Sequence, residues 1–471
     1  MVPSAIHREV PVSIDRDRIH RIILISFTIV STLAFARVAR PTNAAAEPLA
    51  PGESRFGDST WVAPNVYPDA EPSESGPRVN DPDKESGWET ALRTPFRVVF
   101  FPLRLVGGGL EQVANFGEKY ARGHGMGVTS LGDPRVSEGV RVSPRFTMSN
   151  TQGFGAGATV RAPLGPGNRF RGDALWSTKD NRFLRARGLF GEGVAAIGVG
   201  ADGFYDYRPN RRFYGMGNNA GTQKTIYLQR ENRGEGFVFF GRDSTQRVRA
   251  ILGISDVHVG NGYGDTHHAA DFFDPADVPS LQTDSRVWSY GLAGQYATVD
   301  RLHEASRGLH LLGEARRNIS ADGRDIRFRS WRLDSRGYVP VGNDRRVIAL
   351  RGVYQGVDAE NGSEAIPFYR LPVATGSNRF AAYSGDRFRD NRLVLAQAEY
   401  RWLILSSELW AFALAQRAVV APSTSALRYS DMHEAYGGGL RYRLSQFQTA
   451  RLDIARGSQG TTIDLDLDVE F

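Results

Sequence analysis

An antiparallel transmembrane β-barrel of about sixteen strands is the fold class this sequence predicts, and three observations predict it. From about Gly139 onward, short segments of alternating apolar and polar residues are separated by Gly, Asn, Asp and Pro. The connections between these segments sort by parity, with the long ones following odd-numbered segments. In the last segment Ile463, Leu465, Leu467, Val469 and Phe471 alternate without a break with Asp464, Asp466, Asp468 and Glu470. On a strand that pattern puts every apolar side chain on one face and every carboxylate on the other. A half-buried strand of a soluble sandwich shows the same alternation, but a sandwich has no reason to sort its loops.

The chain has 471 residues, a formal charge of +6, 52 glycines and no cysteine. The missing cysteine removes disulfide scaffolds, thiol nucleophiles and thiolate metal sites together. Mean hydropathy is −0.36, and beyond the first forty residues no apolar run approaches the roughly 20 residues of a spanning helix. Barrel strands hide from such averages because only every second residue is apolar. Arginines are dispersed among aspartates along the segments, with no basic block, so nucleic acid binding has little support.

At the front, Arg16, Arg18 and Arg21 precede the apolar run Ile22 to Ala36, and Ala44, Ala45 and Ala46 follow. That order predicts a secretory signal peptide over 1–46 and an exported mature chain. Residues 47–87, rich in Pro, Ser, Asp and Glu, predict a disordered linker. Within 88–125, Leu110, Val113, Ala114, Gly117 and Tyr120 recur at helical spacing. This periplasmic amphipathic segment would lie on a membrane surface, plug the barrel mouth or pack on the barrel wall.

The barrel occupies 138–471. Its segments lie near Val140 to Met148, Phe154 to Ala162, Arg169 to Ser177, Arg182 to Phe190, Val194 to Tyr207, Lys224 to Gly241, Gln246 to Val259 and Arg286 to Val299. The second half follows near Arg307 to Ser320, Asp325 to Pro340, Arg345 to Gln355, Asn391 to Leu405, Glu408 to Val420, His433 to Leu444, Phe447 to Arg456 and Gly460 to Phe471. Both termini are then periplasmic. Closure removes sheet edges and satisfies the backbone within lipid. Arg441, Arg443, Arg451 and Asp453 are expected to line the lumen, while Trp402, Trp410, Tyr207 and Tyr442 would form an aromatic girdle. Pro144 in the first strand removes a ladder donor, which predicts a weak seam against the last.

Gly376 to Trp402 reads GSNRFAAYSGDRFRDNRLVLAQAEYRW. The run Arg387, Phe388, Arg389 and Asp390, followed by Glu399, Tyr400 and Arg401, resembles the best-marked stretch of the bacterial surface antigen superfamily. That superfamily includes the outer-membrane insertases of the Bam and Tam type and the transporters of two-partner secretion. Phe213 to Asn218 resembles its Phe-Tyr-Gly-x-Gly-Asn stretch, and the terminal Phe471 resembles the signal by which assembly machinery recognises outer-membrane barrels. The resemblance implies a non-enzymatic barrel in outer-membrane biogenesis or in translocation of protein or lipid. It also implies a long loop that turns into the lumen.

Two departures qualify it. Where the family has an apolar-Arg-Gly-aromatic tetrad, this chain has Phe380, Ala381, Ala382 and Tyr383, and strand 13 lacks the matching aspartate. Loss of cation and anion together avoids an uncompensated buried charge. The loop is then expected to use Arg387 or Arg389 against Glu399 on strand 12, beside Arg401, and insertase activity does not carry over automatically. The family's polypeptide-docking periplasmic domains are also missing, so client delivery would fall to a separate periplasmic or lipoprotein partner.

Two other readings compete: a passive porin or structural surface barrel, and a surface hydrolase. For the latter, His267 and His268 with Asp265, Asp271 and Asp274 have the residue types of a zinc site. Otherwise no cofactor is implied, and no phosphate-loop, dinucleotide or paired-carboxylate signature stands out.

Overall fold

A computed structural model describes residues 140–467, except 150–152, 194, 242–244, 264–266, 301–304, 361–364, 406–408 and 446–447. The expected signal peptide, linker and amphipathic segment, together with Phe471, lie outside the described residues.

The described strands are sixteen: β1 Arg141–Ser149, β2 Gly153–Pro163, β3 Arg169–Ser177, β4 Arg182–Phe190, β5 Ile197–Phe213, β6 Thr225–Phe240, β7 Gln246–Asn261 and β8 Ser285–Ala297. The second half comprises β9 Gly308–Ser320, β10 Arg327–Val341, β11 Asn343–Ala359, β12 Arg392–Leu405, β13 Leu409–Ala421, β14 His433–Ser445, β15 Gln448–Gly457 and β16 Gly460–Leu467. Each pairs antiparallel with its sequence neighbours, and β1 meets β16 to close the barrel. The largest boundary shift is in β5, which starts three residues later than the alternation suggested and runs six further, through a bulge between Arg208 and Arg211.

The face sorting is the reverse of a water-soluble protein. On β6, Glu231 is 1% exposed and Glu235 and Arg233 are buried with it, while on β3 Trp176 is 58% exposed. Leu184, Val199, Leu252, Trp288, Leu292, Ile348, Ile454 and Ile463 are likewise exposed. An apolar exterior around a charged interior is what hydrocarbon outside and a polar lumen inside require. No described helix is long and apolar enough to cross a membrane.

Connections 214–224, 262–284, 360–391 and 422–432 gather at one end, the long-loop end, and the other end carries shorter turns. The turn 298–307 is longer than the parity argument expects, and Asp300 closes it by accepting from the Ser306 and Arg307 amides at 2.9 and 3.2 Å. The girdle expectation fails for two residues. Trp410 packs against the cluster of Ala305, Tyr338, Val347 and Ala349, and Tyr442 is buried against Leu409.

β1 pairs with β2 over nine positions and meets β16 at Met148 opposite Leu465, and the register then runs toward residues 468–471, outside the described residues.

Candidate functional site

The 360–391 loop enters the lumen and is tied to opposite walls. Toward β5–β7, Arg211 donates to Asp386 at 3.0 Å, and Arg370 reaches Glu231 at 3.1 Å and Ser255 Oγ at 2.6 Å. Toward β12–β16, Ala381 N–H donates to Gln416 Oε1 at 2.7 Å and Ala382 N–H to Thr462 Oγ1 at 3.2 Å. Tyr383 O–H donates to the Glu434 carbonyl at 2.8 Å, and Arg379 lies 3.6 Å from Asp453.

Register explains how the second wall receives the loop. Along β12 the inward residues descend from the long-loop end as apolar Leu393 and Leu395, then Gln397, then Glu399 and Arg401. Gln397 stands directly opposite Gln416 on β13, and the same row continues through Ala435 to Gly457. The two amides hold loop backbone: Gln397 and Gln416 each donate to the Arg379 carbonyl, at 3.0 and 2.9 Å. Beyond them the row shrinks to make room for a ring, since a Cβ on Gly457 would lie 2.8 Å from Tyr383. Tyr383 stacks on Phe380 at 4.7 Å and meets Phe388 edge-on at 5.1 Å, in a cluster with Ala382, Leu393, Leu395, Ala418 and Val420.

The loop backbone is wound tightly. Arg379, Ala382, Asp386 and Phe388 all have positive φ, between 56° and 64°, a region that costs a non-glycine residue about 1–2 kcal/mol. Ala382 stands at the tetrad position where the resembled family has glycine. Ala382 thus holds a backbone conformation that favours glycine.

The expected pairing of Arg387 or Arg389 with Glu399 is not found. Arg389 donates to the Phe368 carbonyl at 2.9 Å and pairs with Asp386 at 3.3 Å, fully buried. Arg387 donates to the Ala220 carbonyl at 3.0 Å and lies 4.8 Å over the Tyr214 ring. Glu399 instead meets Arg401 at 2.8 Å, Arg451 at 2.7 Å and Arg441 at 3.6 Å. The physical reason is depth: Glu399 is on the strand interior below the amide layer, whereas Arg387 and Arg389 are near the long-loop mouth.

There the two stretches that carry the family resemblance meet. Gly217 N–H donates to the Arg389 carbonyl at 2.7 Å, and Tyr214 O–H to Ser384 Oγ at 2.7 Å. Gly215 and Gly217 sit at φ +93°, which a side chain would resist. Asn218 goes on to accept from Val420 N–H at 3.1 Å and donate to the Asp431 carbonyl at 2.7 Å.

Two loop carboxyls respond oppositely to their surroundings. Burial would raise the Asp386 carboxyl, but Arg211, with Arg389 behind it, outweighs burial and brings it down to about 2. Burial raises the Asp390 carboxyl, with the Asn391 amide and Arg392 opposing. Beside the loop the lumen holds a cavity of about 450 Å³ that Arg211 on β5, Arg316 on β9, Arg332 on β10, Arg370 on the loop and Asp453 on β15 help to line.

Reasoning from residues alone missed Arg211, Asn378, Gln397, Gln416 and Thr462. The cross-strand register of Gln397 and Gln416 was the available signal. Asp265 of the histidine site lies outside the described residues; among those described, His267 stacks on Phe272 at 4.9 Å, Asp274 accepts from Ala276 N–H at 2.9 Å, and no metal-holding group of three or more carboxylates and imidazoles occurs.

No protein-family description matches the chain, and no curated protein matches it in sequence. Solved structures do. BamA from Haemophilus ducreyi lacking POTRA domains 1-3 aligns at 14% identity and a TM-score of 0.53, over 70% of this chain and 69% of that one. CdiB from Acinetobacter baumannii aligns at 10% identity and 0.45, over 70% and 59%, and CdiB from Escherichia coli at 12% and 0.45, over 72% and 63%. This chain thus spans about three fifths of the CdiB chains it aligns with. At these identities the likeness is one of architecture, and this chain is a closed antiparallel β-barrel with the fold of the BamA barrel.

Proposed function

We propose that the protein is an integral outer-membrane barrel that moves protein or lipid clients into or across that membrane without covalent chemistry. Both its termini are periplasmic in this reading, and assembly machinery recognises its last strand. The loop tied across the lumen is the observation that carries it. A barrel whose interior is strutted from Arg211 to Gln416 and Thr462 is poorly arranged as an open pore, and the closing seam between β1, which carries Pro144, and β16 is the element proposed to part.

Neighbouring strands in lipid separate only where few ladder bonds are lost, because each unsatisfied backbone group there is costly. Pro144, which has no backbone N–H to donate, lies in β1 and is the feature that favours this seam. A separate periplasmic or lipoprotein partner delivers the client in this reading.

The test is a disulfide across the seam, M148C with L465C, at the paired positions. With the barrel intact by heat-modifiable gel mobility, the oxidised form should lose delivery of new surface proteins or lipid, and reductant should restore it. Full delivery by the oxidised form sinks the proposal.

A further inference from the structure

Trp410, Arg441 and Arg451 form one row across three strands, Trp410 opposite Arg441 and Arg441 opposite Arg451. Both arginines are 3% exposed. Like charges directly opposite one another repel, and Glu399 is the carboxylate between them. Its Oε1 is taken by Arg451 at 2.7 Å and its Oε2 by Arg401 at 2.8 Å, which leaves Arg441 Nη2 at 3.6 Å, beyond hydrogen-bond reach. Arg451 commits its Nε to Asp453 at 2.7 Å.

Four buried nitrogens then have no hydrogen-bond acceptor among the described residues: Nε and Nη2 of Arg441, Nη1 of Arg451 and Nε1 of Trp410. All are donors, and none can accept. A neutral ligand would leave the repulsion between the guanidinium groups in place. A second carboxylate offers two oxygens, whereas a phosphate group offers three acceptors and matches the guanidinium fork. Phe412, 4.2 Å from Arg451 along a ring-to-cation contact, backs the row with a surface that supplies no competing acceptor.

We propose that this row binds the oxyanion of a phosphate group, inorganic or on a lipid headgroup. Asp453, which holds Arg451, also lines the lumen cavity. Asp466 continues the row opposite Arg451, and its side chain lies outside the described residues.

The experiment uses the full chain folded in detergent, titrated in separate arms with inorganic phosphate and with dioctanoyl phosphatidic acid. Calorimetry reads affinity, and native mass spectrometry reads which adduct is retained. One equivalent should bind. R441K, which keeps charge but loses the fork, should weaken binding about tenfold, and W410F by a smaller factor. Both variants should keep the heat-modifiable mobility of the folded barrel. Retention of phosphatidic acid alone would identify the headgroup as the source, and retention of both would show that inorganic phosphate suffices. An intact barrel that retains neither overturns the site. So does unchanged binding in both variants, or binding that emerges only in D466N, which would assign the donors to Asp466.

Discussion

Glu399 is the residue on which the lumen's charge arrangement turns, because two carboxylate oxygens face the guanidinium groups of Arg401, Arg441 and Arg451. Removing one partner of a buried ion pair leaves the other uncompensated, at a cost of about 3–5 kcal/mol. E399Q should therefore lower the urea midpoint of the folded band markedly, and a midpoint within experimental scatter of wild type would refute this account of the cluster. The opposite sign is expected at Ala382. Glycine there relieves about 1–2 kcal/mol of left-handed strain and gives back about 0.4–1 kcal/mol through a freer unfolded chain. A382G should thus stabilise the loop slightly, read as slower proteolysis within 360–391. Neither effect was legible from residues in isolation. The alternation of β12 marks Glu399 as inward beside Arg401, but its other partners come from β14 and β15, and only the register between strands brings them together.

At the scale of the element, the loop's hold on its two walls rests on different chemistry, and pH separates them. The Asp386 carboxyl, brought down to about 2 against the pull of burial by Arg211 and Arg389, has a folded value below its unfolded one. Its contribution is complete above the unfolded value near pH 4 and is lost as pH falls toward 2. Asp390, raised by burial, acts in the other direction: its contribution is whole below the unfolded value and is lost as pH rises through the folded one. The amide contacts of Gln397 and Gln416 do not titrate. Protection of the Ser384 to Arg389 amides from hydrogen exchange, taken relative to their intrinsic rates, should fall between pH 4 and 2, while Asn378 to Ala381 stays protected. In D386N that acid step should vanish, and an acid step of wild-type size in the variant would count against Arg211 as the anchor. Sequence alternation located the loop's ends to within a few residues, and the family resemblance supplied its inward turn. The amides escaped notice because a glutamine on an alternating strand looks like any other lumen-facing polar residue.

Over the whole molecule, the barrel was readable because two independent regularities agree: period-two alternation sets the faces, and parity sets the ends to which long and short connections go. The interior was less readable, since lumen packing depends on contacts between stretches as distant as Gly217 and Arg389. That packing decides whether the barrel behaves as a pore. Contacts from Arg211 on β5 to Gln416 on β13 and Thr462 on β16 place the loop across the lumen's width, with apolar Phe380, Tyr383 and Phe388 filling the long-loop half. Ions crossing such a lumen would have to pass buried apolar rings, where desolvation is prohibitive. Wild-type protein in planar bilayers should accordingly show little steady conductance. Replacing Pro372 to Phe388 with a short Gly-Ser linker removes those rings and the Asp386 and Gln416 anchors together, and should produce large, steady openings while the strand ladder stays closed. If wild type conducts as well as the linker variant, the loop does not obstruct the lumen, and a passive pore becomes the better description of the molecule.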